Sequence, residues 1–186
     1  MSADIEIRLV RHGEAASGWG EDRDPALSAA GVAQAEAAAL RLAPVVGADS
    51  ALFSSPMARA RETAEPLSMQ LGVPVTVDAV FTEVPAPVPF DRRIDWLRAF
   101  MTGTWEQQPA SVTDWRDAII HRVLALPADA VVFTHFVVIN ALVSHILGES
   151  RVLCCRPDNG SISHIRRLDG VLQLVELGSE RETHVG

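Results

Sequence analysis

Three short polar clusters carry most of the chemistry this sequence offers: Arg11-His12-Gly13-Glu14, Ser54-Ser55 with Arg59, and Thr134-His135. Arginine suits a phosphoryl group, because its planar fork donates paired hydrogen bonds to the oxygens and stays charged. Histidine serves as a nucleophile or as a proton carrier near neutral pH. Two arginines and two histidines meeting in one pocket make an anion site. Phosphoryl transfer asks mainly for such positioning and for positive charge around the equatorial oxygens. Gly13, directly after His12, permits a tight turn or a close approach of ligand to backbone. Taken singly, each residue has a plainer reading. A strand-end histidine is usually structural, Arg59 alone is a solvated helix charge, and His135 fits a satisfied core histidine.

For the clusters to meet, the chain must place them on one edge of a sheet. Ile5 to Val10 has the branched residues and length of a strand. A polar loop rich in Gly, Asp and Glu follows, then Ser28 as the N-cap of a helix over roughly 29–43, ended before Pro44. Ala51-Leu52-Phe53 is a short strand. Ser55-Pro56 reads as an N-cap with proline at the first helical position, opening a helix that stops near Gly72. Pro74 to Val80 is extended, and the proline-rich EVPAPVPF at 83–90 is a loop. An amphipathic helix follows with Ile94, Leu97 and Met101 on one stripe and Trp96 and Phe100 beside it. Residues 113–126 form a further helix. Ala130 to Thr134 is a buried strand, and Val137 to Leu147 an apolar helix closed by Gly148. Ser161 to Leu168 and Val171 to Leu177 are strands joined by the hairpin signal Asp169-Gly170. Alternating strands and helices indicate an α/β domain with a largely parallel sheet and an antiparallel edge. All three polar clusters fall just beyond strand ends, where open α/β sheets bind ligands.

Composition narrows the partners. The 186 residues carry 16 Lys+Arg against 24 Asp+Glu, a formal net charge of -8. That balance argues against nucleic acid or an anionic membrane surface, both of which need a basic face. The N-terminus lacks the pattern of a secretory signal, and no run of 18 apolar residues implies a membrane span. The only cysteines are the adjacent Cys154 and Cys155, expected as free thiols in a reducing cytoplasm. No metal-ligand spacing is visible and no cofactor is expected.

The motifs together resemble the histidine phosphatase superfamily, the phosphoglycerate mutase-like branch 1. Leu9-Val10-Arg11-His12-Gly13-Glu14 is similar to its signature, and Leu27 to Ala35 resembles the LSxxGxxQA segment that follows. Ser54 to Ala64 is similar to the SSPxxRAxxTA block, Phe133-Thr134-His135 to the late strand-end histidine, and Asn159-Gly160-Ser161-Ile162 to the segment after it. Each block alone is weak, but together they span most of the chain in the right order.

The resemblance implies a three-layer α/β/α sandwich over 1–186 as one domain, with a short insertion at about 84–110 that forms a lid. It implies a metal-independent phosphatase in which His12 becomes phosphohistidine. Arg11, Arg59 and His135 hold the phosphoryl oxygens, and Glu83 protonates the leaving group and then activates water, with Asp78 nearby as a rival for that role. Gly13 and Phe136 complete the expected substrate contacts. The substrate is expected to be a small phosphorylated metabolite or a phosphoprotein. The rivals are a mutase on the same fold and a phospholigand-binding regulator without turnover.

Three departures stand out. Phe136 replaces a common glycine, which is expected to narrow the pocket, while Ala15 and Gly18 replace residues that contact phosphate. His121, His145, His164 and His184 show no partner pattern and are expected to be structural or surface residues. Trp96, Phe100 and Trp105 read as core. Arg92, Arg93 and Arg98 read as solvated, with one of them able to reach an anionic substrate.

Overall fold

The computed structural model describes residues 4–18, 22–47 and 49–180. Its strands are β1 (Ile5–Arg11), β2 (Ala51–Ser54), β3 (Val75–Val77), β4 (Ala130–Thr134), β5 (Ile162–Leu168) and β6 (Val171–Glu176). Its helices are α1 (Ala29–Leu42), α2 (Ala58–Leu71), α3 (Arg93–Thr102), α4 (Ala110–Leu124) and α5 (Phe136–Leu147). The six strands form one sheet in the order β3-β2-β4-β1-β5-β6. The first four in that order run parallel, and β5 and β6 add the antiparallel edge. Asp169 and Gly170 turn that hairpin with φ of 51° and 78°, the left-handed backbone that such two-residue turns require.

Helices cover both faces of the sheet, which is why β4 is buried at all five positions. Val131 and Phe133 join Ala38 and Leu42 of α1 and Ala64 and Leu67 of α2. Ala130 and Val132 join Ile119 and Val123 of α4 and Ile139 and Leu142 of α5. Alternation on a pleated strand thus supplies two cores at once. Each fully buried Leu or Phe contributes about 1.5–3 kcal/mol.

Register then builds the site. Arg11 on β1 pairs with Thr134 on β4, and Ser54 on β2 pairs with Phe133. The residues that leave these strands, His12, His135 and Ser55, therefore emerge side by side at the carboxyl edge of the sheet. His12 N donates to Thr134 O at 2.9 Å and Ser55 N to Phe133 O at 3.0 Å, carrying the ladder one residue past each strand end.

Ser28 caps α1 as expected, its hydroxyl accepting from Gly31 N at 3.0 Å. The start of α2 differs from expectation. The helix begins at Ala58 with Met57 at the N-cap position, because the Ser55 hydroxyl lies 2.8 Å from His135 Nε2 and reaches Met57 N only at 3.3 Å. The extended stretch after Pro74 is shortened to Val75–Val77. Asp78 accepts from Val80 N at 3.1 Å and turns the chain into a single tight turn, Ala79–Phe81, which delivers Glu83 to the sheet edge.

Residues 84–110, expected as a lid, build a third apolar cluster with α5. Val84, Leu97, Phe100 and Trp105 pack on Phe136, Val137 and Ala141. Trp105 Nε1 donates to Ser144 Oγ at 2.8 Å, and Trp96 stacks on Phe100 with ring centroids 4.8 Å apart. The expected core role holds for Phe100 and Trp105. Among the described residues, no helix is long and apolar enough to cross a membrane.

Candidate active site

His12 is held in one tautomer. Its Nδ1 lies 2.7 Å from Gly13 O, which only an N–H can satisfy, so the lone pair sits on Nε2. Arg59 Nε donates to that nitrogen at 3.2 Å. Burial pushes the His12 pKa down to about 3, with the charges of Arg59 and Arg11 adding to the effect. At neutral pH the imidazole is therefore uncharged with Nε2 unprotonated, the state a nucleophile needs.

The surrounding side chains are fixed by the backbone they grow from. Arg11, the last residue of β1, donates from Nη1 to Pro157 O at 2.8 Å, with its guanidinium carbon 5.1 Å from the centre of the Phe136 ring. Burial lowers its pKa to about 10, so it remains a cation. His135 is fully buried with its ring centre 5.2 Å from that of His12. Arg59 Nη2 faces its Nδ1 at 3.4 Å, which assigns the proton to Nε2 and makes Ser55 Oγ the acceptor. Burial holds His135 well below the ordinary imidazole range.

Thr63 ties two of these parts together. Its hydroxyl accepts from Gly13 N at 3.0 Å and donates to Arg59 O at 2.6 Å. Asn159 Nδ2 donates to His12 O at 3.1 Å. Neither residue reaches the cavity as a ligand; both set where His12 and Arg59 point.

Glu83 is 7% exposed and lies in the same cavity. Its Oε1 accepts from Val84 N at 3.0 Å and from Val137 N at 3.2 Å, at the first turn of α5. Burial raises its pKa against the pull of those amides and of Arg59. A carboxyl whose proton is held above the usual range beside a neutral imidazole is the pairing that general acid catalysis uses. Asp78, the nearby rival, is instead paired with Arg122 at 2.8 Å.

The cavity is lined by His12, Arg59 and Glu83, together with Ala15, Ser17, Gly18, Asp22, Arg23, Pro25 and Arg93. Arg11 and His135 flank these residues without lining it. Phe136, expected to narrow the pocket, is 4% exposed and packs into the third apolar cluster, where an aromatic ring gains more than at a polar wall. Gly13 has a different reason from the one expected. A Cβ there would lie 2.4 Å from Gly31 O, so the close approach it allows is to the first turn of α1. Its N–H is already taken by Thr63.

The sequence reading gave no role to Ser17, Asp22, Arg23 and Pro25, because an aperiodic polar loop carries no signal for which side chains turn inward. Arg93 did have a signal. It stands four residues before Leu97 and seven before Phe100, on the core-facing stripe of α3, whereas Arg92 and Arg98 are exposed. His121 and His145 are exposed, and His164 pairs with Glu6 on the sheet. His184 lies outside the described residues. Cys154 and Cys155 are free thiols. Among the described residues, no group of three His, Cys, Asp or Glu side chains is arranged to hold a metal ion.

Solved structures share this architecture. Bacillus stearothermophilus YhfR superposes with a TM-score of 0.77 at 20% identity, covering 98% of this chain and 100% of its own. A mycobacterial glucosyl-3-phosphoglycerate phosphatase, complexed with VO3, gives 0.73 at 21% identity over 95% and 100% of the two chains. TTHB049 from Thermus thermophilus gives 0.60 at 26% identity over 93% and 99%. No functionally curated protein matches the chain in sequence. The sequence pattern of the histidine phosphatase superfamily (branch 1) matches residues 7–180. With that pattern spread over strands, helices and cavity alike, the chain belongs to the histidine phosphatase superfamily, branch 1.

Proposed function

We propose that the protein hydrolyses phosphomonoesters through a phosphohistidine on His12 Nε2. The observation that carries this reading is the pairing in one cavity of a neutral imidazole with an unprotonated Nε2 and a buried carboxyl with a raised pKa. In the resting site Arg59 covers the Nε2 lone pair. An incoming phosphoryl group takes the guanidinium hydrogens onto its oxygens and exposes Nε2 to phosphorus.

The two half-reactions balance without an outside reactant. Nε2 bonds to phosphorus as the ester P–O bond breaks, and Glu83 passes its proton to the departing alkoxide oxygen. Glu83, now a carboxylate, takes a proton from water as that water attacks phosphorus and the P–N bond breaks. Inorganic phosphate leaves, with His12 and Glu83 restored. Arg11 and Arg59 supply the positive charge for both transition states, so no metal ion is required by the chemistry. A phosphoryl dianion also brings an opposite charge close to His135. Proton uptake on Nδ1 then turns His135 into a further donor.

Hydrolysis of 4-nitrophenyl phosphate in chelator across pH 5 to 8, by wild type and His12→Ala, tests this. Expected is turnover that resists chelation and falls at least about 10⁴-fold in the variant, as for loss of a covalent nucleophile. Turnover unaffected by His12→Ala would remove the mechanism. A phosphohistidine that forms without net hydrolysis would point to a mutase.

A further inference from the structure

Arg11 has a buried Nε without a partner, but it holds a hydrogen bond through Nη1 and Arg59 holds one through Nε, whereas Arg93, on the cavity wall, holds none among the described residues. Arg59 contacts both histidines and approaches Asp24 at 4.0 Å. Arg23 lies over the Phe90 ring at 4.7 Å. Arg93 has no such arrangement. Its Nε is buried without a hydrogen-bond partner among the described residues, and none of their carboxylates comes within ion-pair distance of it.

Glu83 shares the wall with Arg93 and feels its charge, but no ion pair within 4.0 Å joins the two. The Glu83 oxygens are occupied by Val84 N and Val137 N, and burial favours its neutral form. Asp22, the other carboxylate of the lining, is exposed and accepts from Asp24 N. A guanidinium partly stripped of water and left unpaired is costly, and the cost is recovered when an anion arrives. Arg93 is also held in place. It opens α3, whose Leu97 and Phe100 are anchored in the third apolar cluster.

We propose that Arg93 binds a second anionic group on the leaving portion of the substrate, which makes the substrates phosphomonoesters that also bear a carboxylate or a further phosphate. The proposal rests on the phosphatase reading for what happens at His12 and adds what must lie beyond the scissile bond. The guanidinium fork matches either anion with two parallel hydrogen bonds. Arg59 feels the charge of Arg93, so the second anion also offsets repulsion between the two cations. Asp22 at the mouth disfavours leaving groups whose negative charge extends past Arg93.

The test uses matched pairs at two lengths, ethyl phosphate against 2-phosphoglycolate and phenyl phosphate against 4-carboxyphenyl phosphate. Wild type, Arg93→Gln and Arg93→Lys are compared by kcat/KM. Expected is a preference of about 10–100-fold for the carboxylated member of at least one pair, the value of one charge-assisted hydrogen bond. That preference disappears in Arg93→Gln and is partly kept in Arg93→Lys, while the uncarboxylated member changes less than about 3-fold. Absence of preference at both lengths overturns the proposal. So does a preference that survives Arg93→Gln, or an equal fall for both members. If wild type turns over none of the four, the phosphatase reading fails. Calorimetric binding of the same pairs to wild type and Arg93→Gln then decides the subsite by the same criterion, and no binding of any of them overturns both.

Discussion

The two ends of the cavity are built differently. At the phosphoryl end, every reactive atom is fixed by groups that never touch a ligand. Gly13 O holds His12 Nδ1, Ser55 holds His135, and Thr63 links the His12 loop to α2. Gly13 and Ser55 follow strand ends whose register is set by the core, and Thr63 comes from α2. Elsewhere in the lining, Ser17, Asp22 and Arg23 come from a loop, and Arg93 from a helix outside the sheet. The first set is held by hydrogen bonds from the backbone and from buried side chains. The second is where a different substrate could be accommodated without disturbing the first, since fixed scaffolds with variable loops divide labour in this way.

Substitutions at the two ends should separate by size of effect. Glu83→Gln is expected to lower turnover of alkyl phosphates by about 10²–10⁴-fold, the usual contribution of a general acid. Wild-type activity should fall as pH rises through the raised Glu83 value, where the proton needed for the leaving group is lost, and that limb should vanish in the variant. Stability gives an independent reading. A carboxyl whose folded pKa is raised contributes fully below its unfolded value of 4.5 and loses that contribution as pH climbs through the folded one. Glu83→Gln should therefore melt higher than wild type at pH 8 and alike at pH 4. An equal melting difference at both pH values would mean that Glu83 is not the strained carboxyl.

Next in size is Ser55→Ala. It removes the acceptor that orients His135, and a loss of about 10-fold in kcat with little change in KM is expected for one hydrogen bond acting through position. A rise in KM with kcat unchanged would instead make Ser55 a direct ligand. Smallest is Arg23→Ala at the loop end, expected to change kcat/KM for phenyl phosphate by less than about 3-fold, since an exposed cation over an aromatic ring contributes about 0.5–1 kcal/mol. A larger loss would break the division between the two ends.

Most of the fold could be read from the chain because periodicity and caps reported on local events: Ser28 before α1, Asp169-Gly170 in the hairpin, the apolar run that opens β4. The convergence of the three polar clusters was equally accessible, since their residues sit at strand ends and strand ends converge. Readings went astray where a side chain had two possible partners. Ser55 looked like a helix cap and is His135's acceptor, and Phe136 looked like a pocket residue and lies in the core. Gly13 looked like room for a ligand and is room for α1. These choices depend on what arrives from elsewhere in the fold, which no local pattern encodes. Arg93 sits between the two cases, visible as a charge on an apolar stripe once α3 is placed.

The facing glycines also set how this protein can drift. A Cβ on Gly13 would meet Gly31 O at 2.4 Å, and one on Gly31 would meet Glu14 O at 2.1 Å. Each obstruction is backbone, so neither position can be rescued by trimming a neighbour's side chain, and changing both at once only adds a second collision. A saturation library selected for folded protein should thus be nearly empty at both positions, as depleted as at His12 in a library selected for turnover. Residue 31, which lies outside the cavity lining, would then show the intolerance of a catalytic residue for purely steric reasons.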